Sequence, residues 1–218
     1  MYLLDGGCFM ALSDSLVAAD LRSVEEFTRM DLLARSGLLT DANLIDVCVI
    51  ERTRAGLWYV YAMIESSGCE IDDNRVAGLV CISEGEFEPA RVSTDFINAL
   101  PWQEVPRDET KWHTNQVQVR CGTVGLLCME SIRRCARTYG LAAEDHEAFS
   151  AFIRGWANAM CQATTTTSKI CLSNMPNGPI GAVSSVGICD SGRYSCHVLK
   201  DELTGEVSGF KMLFPSEE

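Results

Sequence analysis

The sequence predicts an α+β protein in which helices are followed by an antiparallel β-meander. Three observations predict it. Apolar residues recur at helical spacing near the N-terminus and again across 123–163. β-branched runs bounded by turn residues fill 44–83 and 168–214. The composition, 47% apolar and 22% charged, is that of a globular chain and excludes a disordered or collagen-like one. At 218 residues such a chain buries roughly 70% of its unfolded surface, so it needs no metal or disulfide staple.

The elements follow in order. Cys8–Val17 places apolar residues at helical spacing after an Asp-Gly-Gly turn and reads as a first helix. Ser23 and Glu26 have the spacing of a capping box, which opens a second helix over Val24–Ser36 with Gly37 as its stop. Leu44–Glu51 and Leu57–Glu65 are β-rich, and the Arg-Thr-Arg-Ala-Gly between them reads as a hairpin turn. Val76–Ser83 is a third strand, Glu84–Arg91 a charged loop and Thr94–Leu100 a short helix or turn.

Pro101–Thr114 holds two prolines and two tryptophans and reads as a packed crossover. Beyond it the order recurs. Gln116–Cys121 is a strand, Thr123–Tyr139 and Glu144–Ala163 are helices, and strands follow at Ser168–Leu172, Ala182–Cys189, Arg193–Lys200 and Glu206–Phe214. The chain therefore reads as one domain, 1–218, or as two parts, 1–100 and 115–218, joined across the crossover.

Charge and cysteine usage narrow the function. Eighteen basic against thirty acidic residues leave a net charge of −12. That disfavours a nucleic-acid backbone and an anionic membrane surface, and it suits a protein partner or protein substrate. The longest uncharged run, Ile170–Cys189, is broken by prolines, glycines and asparagines, so no membrane span is expected. Met1–Leu4 has no basic flank and Asp5 interrupts the apolar stretch, so no secretory leader is expected. Eleven cysteines without a leader imply a reducing intracellular compartment: cytoplasm, nucleus or an intracellular virion. No Cys-x-x-Cys occurs and none of His113, His146 and His197 has zinc-finger spacing, so neither a metal nor another cofactor is expected. Cys121, Cys128 and Cys135 recur every seven residues and read as a buried stripe on a helix.

The most specific string is Asp5-Gly6-Gly7-Cys8-Phe9-Met10-Ala11-Leu12. A cysteine at the first turn of a helix faces unpaired N–H groups and the positive end of the dipole, which favours the thiolate. The same loop can aim N–H groups at an oxyanion. A thiolate nucleophile needs an imidazole partner. His197, on a strand near the C-terminus, is the best candidate, with His113 in the crossover as another. Asp201, Glu202 or Glu206 could orient the imidazole. The turn cluster Asn174–Gly181 reads as a long β-connection, or as the wall of a substrate cleft.

This string resembles the cysteine motif of ovarian-tumour-type (OTU) deubiquitinases and is similar to that of viral papain-like proteases. The resemblance implies Cys8 as nucleophile, Asp5 in the oxyanion-forming loop and His197 as the late-strand base. The chain departs from the motif in spacing, with one residue fewer between Cys8 and Ala11-Leu12, and in Val198, where the family places an aromatic. The expected function is a cysteine-dependent hydrolase of peptide or isopeptide bonds. The alternative is a non-catalytic acidic interaction or assembly protein, a component of a larger complex or virion.

Overall fold

The computed structural model describes residues 1–12, 14–39, 44–65, 75–85, 92–120, 122–138, 147–166, 169–175, 178–185 and 192–214. Its class is α+β, as the sequence predicts. The strands are β1 (Tyr2–Ala11), β2 (Ser15–Asp20), β3 (Ile45–Glu51), β4 (Gly56–Glu65), β5 (Arg75–Ser83), β6 (Gln103–Glu104), β7 (His113–Thr114), β8 (Gln116–Val119), β9 (Thr123–Cys128), β10 (Ile170–Met175), β11 (Gly178–Ser185), β12 (Gly192–Lys200) and β13 (Val207–Leu213). The helices are α1 (Val24–Arg35), α2 (Thr94–Ala99), α3 (Met129–Thr138) and α4 (Glu147–Thr166).

These strands form two stacked sheets. Sheet A runs β1-β4-β5-β13-β12-β6, with β8 also paired to β12, and sheet B runs β10-β11-β9-β2-β3-β7. Every pairing is antiparallel except β3 with β7. Each sheet takes strands from both sides of the Pro101–Thr114 segment: β5 pairs β13 in sheet A and β2 pairs β9 in sheet B.

Three apolar layers result. Trp58, Val60, Leu79, Phe210 and Met212 of sheet A meet Leu16, Ala18, Leu126 and Ala182 of sheet B between the sheets. The other face of sheet B packs against the helices: Val17, Ala19 and Leu127 meet Phe27 of α1, Ile132 of α3 and Phe149, Ile153 and Trp156 of α4. The outer face of sheet A, with Tyr61, Met63, Val80 and Ile82, is covered by Ile97 of α2 and by Trp102. Among the described residues no helix is long and apolar enough to cross a membrane.

Several elements differ from the sequence reading, each for a physical reason. Cys8–Val17 is no helix; it spans β1 and the start of β2. β2 lies between β9 and β3 with both faces covered, so its apolar residues do not alternate with polar ones. The proposed helix at 123–139 is likewise a buried strand, β9, followed by α3. Cys128 therefore ends a strand while Cys135 lies on α3, and no single helix carries the cysteine stripe.

β3 and β4 form no hairpin. The chain crosses from sheet B to sheet A at Arg52, which adopts φ +59°. Ser23 makes no capping hydrogen bond; instead buried Asp20 accepts from Arg22 N at 2.8 Å. β10 and β11 pair tightly from Ile170–Ser184 to Met175–Gly178, where the sequence suggested a long connection. The helices do not precede a meander in each half; each sheet joins a block of strands from one half to a block from the other, at the β5–β13 and β2–β9 pairings. His146, Cys121, Cys189 and most of Glu84–Arg91 lie outside the described residues.

Candidate functional site

Asp-Gly-Gly-Cys has a local structural role. It forms a β-bulge in β1, where the ladder to β4 shifts register between Asp5 and Gly7. The Asp5 carboxylate accepts from Gly7 N at 2.8 Å, and Gly7 adopts φ +86°, a conformation that favours glycine. Gly6 faces the opposite sheet at close range: a Cβ there would lie 2.8 Å from Ile170 Cδ1. The two glycines thus let the edge of sheet A bend against β10. Cys8 follows in mid-strand, partly exposed and opposite Tyr59. It has no helix dipole and no run of unpaired helical N–H groups before it.

The pairing register measures its separation from His197. Successive partners run Asp5, Tyr61, Val80, Lys211, His197 and Glu104 across β1, β4, β5, β13, β12 and β6. Cys8 heads the neighbouring row through Tyr59, Ile82 and Gly209 to Leu199. Cys8 and Asp5 therefore lie at one edge of sheet A and His197 four strands away, about 19 Å at the usual strand spacing of roughly 4.8 Å. The fold does not bring the thiol and this imidazole together.

Nor does Asp201 orient His197. Its Oδ1 accepts from Leu203 N at 2.9 Å and Thr204 N at 2.8 Å, closing the β12–β13 turn. Those backbone hydrogen bonds hold its carboxyl below the ordinary range. Glu206 instead pairs with Arg54 at 3.5 Å. The buried Nδ1 of His197 has no hydrogen-bond partner. His197 sits between Glu104 and Lys211, and the Lys211 ammonium lies 4.8 Å from the centre of the Trp102 ring. Burial lowers the pKa of Lys211.

The chemistry-bearing residues gather elsewhere, where the crossover wraps one end of the two sheets. After α2 the crossover pairs with β12 as β6, passes over the sandwich end, and pairs with β3 as β7. Asn115 Nδ2 donates to Val105 O at 2.9 Å and ties the two limbs of the crossover together. Beneath lies a cleft of about 420 Å³, within the size range of ligand pockets. Val49, Ile50, Val105, Pro106, Val198 and Val207 give it apolar walls, and Glu51, Arg52, Glu104, Asp108, Lys111, His113 and Lys200 supply its charge and its imidazole.

Most of these polar groups are already engaged. Lys111 Nζ meets Glu51 Oε1 at 2.6 Å. Asp108 accepts from the Thr110 hydroxyl at 2.6 Å and from Thr110 N at 3.0 Å, which holds its carboxyl below the ordinary range. Arg52 donates to Thr204 O at 2.5 Å and anchors the β12–β13 turn. A carbonyl can only accept, so the 3.4 Å contact of His113 Nδ1 with Thr114 O puts the proton on Nδ1 and leaves Nε2 as an acceptor. Burial is the main cause that lowers the pKa of His113, with Lys111 adding to it; the ring is neutral at pH 7. Lys200 and Glu104 hold no ion pair among the described residues.

Among the described residues no cysteine or serine lines the cleft beside His113, and the Thr114 hydroxyl is spent on Gln116 O at 2.6 Å. Among the described residues no group of three or more His, Cys, Asp or Glu could hold a metal ion. The sequence pointed to His113 and to the crossover, but Glu51, Arg52, Glu104 and Lys200 carried no local signal, because only strand pairing brings them to one end. Comparison with family models, curated proteins and solved structures finds no match.

Proposed function

We propose that this chain is a non-catalytic interaction protein that takes an extended segment of a protein partner into the cleft beneath the crossover. One observation carries the reading: the cleft has apolar walls, and among the described residues its acid Glu104 and its cation Lys200 hold no ion pair and no cysteine or serine lies beside its imidazole. An apolar side chain of the partner would fill the space between Val105, Val198 and Val207. A basic side chain beside it would pair with Glu104, and Lys200 would take a main-chain carbonyl. The net charge of −12 raises the encounter rate with a basic segment.

Selection of displayed peptides on the immobilised full chain, followed by calorimetric titration, tests this. The expected ligands combine a basic with an apolar residue. They should bind about tenfold or more weakly to Glu104→Lys, the scale of a reversed interfacial charge. Failure to enrich any peptide, or ligands indifferent to Glu104→Lys, would overturn the reading. A ubiquitin- or peptide-aldehyde probe run in parallel should give no labelling that depends on Cys8. Labelling abolished by Cys8→Ala would replace this proposal with a cysteine hydrolase.

A further inference from the structure

Two fully buried cysteines meet from opposite sheets. Cys48 belongs to β3 in sheet B and Cys196 to β12 in sheet A. Both are free cysteines packed in one cluster of the inter-sheet core, where each thiol is a polar neighbour of the other. The same segment fastens both backbones: Val105 N donates to Cys196 O at 2.9 Å, Cys196 N donates to Asn115 O at 3.5 Å, and Thr114 is the ladder partner of Cys48. That segment is held to the sheets by β6 and β7, each only two residues long. Such short ladders open locally far more readily than the core beneath them.

We propose that Cys48 and Cys196 are an oxidative modification site: a hydroperoxide reaches them when residues 105–115 open, and converts the pair to a disulfide that pins the two sheets together. In the opened state one thiol loses its proton to water and its sulfur attacks the peroxide O–O bond. This gives a sulfenic acid and releases one molecule of water from hydrogen peroxide. The second thiol attacks the sulfenic sulfur; the S–S bond forms and the hydroxyl leaves as water with the thiol proton. Two thiols and one hydrogen peroxide thus yield one disulfide and two waters, the sulfurs losing the two electrons that the peroxide gains.

The closed state is inert, because burial holds the Cys196 thiol well above its ordinary pKa and the thiolate is the reactive species. The rate therefore follows opening. The bond would tie β3 to β12, which supply Val49, Ile50, Val198 and Lys200 to the cleft, so oxidation would fix the spacing of its two walls whatever ligand it takes.

The test is peroxide treatment of the full chain, denaturing alkylation and non-reducing peptide mapping. The expected product is a Cys48–Cys196 peptide pair, lighter by two hydrogen atoms and released by dithiothreitol. Asn115→Ala, which removes the tie to Val105, should speed its formation about fivefold, the factor set by one hydrogen bond. Recovery of both cysteines as alkylated thiols while Cys8 is oxidised would overturn the proposal. An Asn115→Ala rate equal to wild type would overturn opening of this segment as the route.

Discussion

Gly181 stands where β11 crosses closest to β9. A Cβ at this position would overlap the carbonyl oxygen of Leu126 and the Cα of Leu127. Backbone atoms within a sheet cannot move aside singly, so Gly181→Ala should cost more than about 3 kcal/mol, read from urea unfolding. Asp20 is a second residue with an outsized role. Fully buried at the end of β2, its carboxylate accepts from Arg22 N at 2.8 Å and Arg120 N at 2.5 Å. Asp20→Ala would leave both donors short of a partner, and a loss of about 2 kcal/mol or more is expected, with Asp20→Asn losing less. Lys211 presents the opposite case. It is 8% exposed and pairs with no carboxylate among the described residues, so removing its charge while keeping its length should help. Lys211→Met is expected to raise stability at pH 7 by about 1 kcal/mol; an unchanged or lower unfolding midpoint would contradict that account.

Among the elements, the crossover differs most in kind from its neighbours. Its ladders are two residues long, yet it is anchored by side chains: Trp102 Nε1 donates to Ile97 O at 2.6 Å and its ring covers Lys211, while the Trp112 ring packs on Phe27 of α1 with centroids 5.5 Å apart. Trp102→Ala and Trp112→Ala should each increase hydrogen exchange at 103–116 well before they affect the strands of the central core. The helices are tied more firmly. Arg133 of α3 meets Asp31 of α1 through two hydrogen bonds of 2.8 and 2.9 Å. The tryptophans, prolines and length of the crossover were legible as a packed connection, because those residue types act locally. Its attachment to both sheets was not, since β6 and β7 are strands only through their partners.

Over the whole molecule, buried titrating groups set opposite limits on pH. Burial pushes the Cys135 thiol up to about 11 and raises those of Cys81 and Cys196 as well. Above the ordinary thiol pKa the unfolded chain loses protons that the folded one keeps, so stability should fall as pH rises past about 8.5. His113 acts on the acid side. Its folded pKa is lowered, so below about 6.5 the unfolded chain takes up a proton that the folded one refuses, and stability falls with pH. Urea midpoints at pH 7 and pH 5 should therefore differ less in His113→Gln than in wild type.

Local pattern was enough for the sequence to determine the α+β class, the helix at 24–35 with Gly37 at φ +67° as its stop, and the strands at 75–83, 192–200 and 207–213. Each depends on a periodicity or a turn residue acting within a few positions. Tertiary structure alone decided that 8–11, 15–20 and 123–128 are strands. Burial on both faces of β2 and β9 removes the alternation by which strands are read, leaving runs whose leucine, alanine and methionine suit a helix equally well. It also decided the distance between Cys8 and His197 and the gathering of Glu104, His113 and Lys200 around one cleft. These depend on strand order, and strand order is set by which apolar faces bury together, not by spacing along the chain.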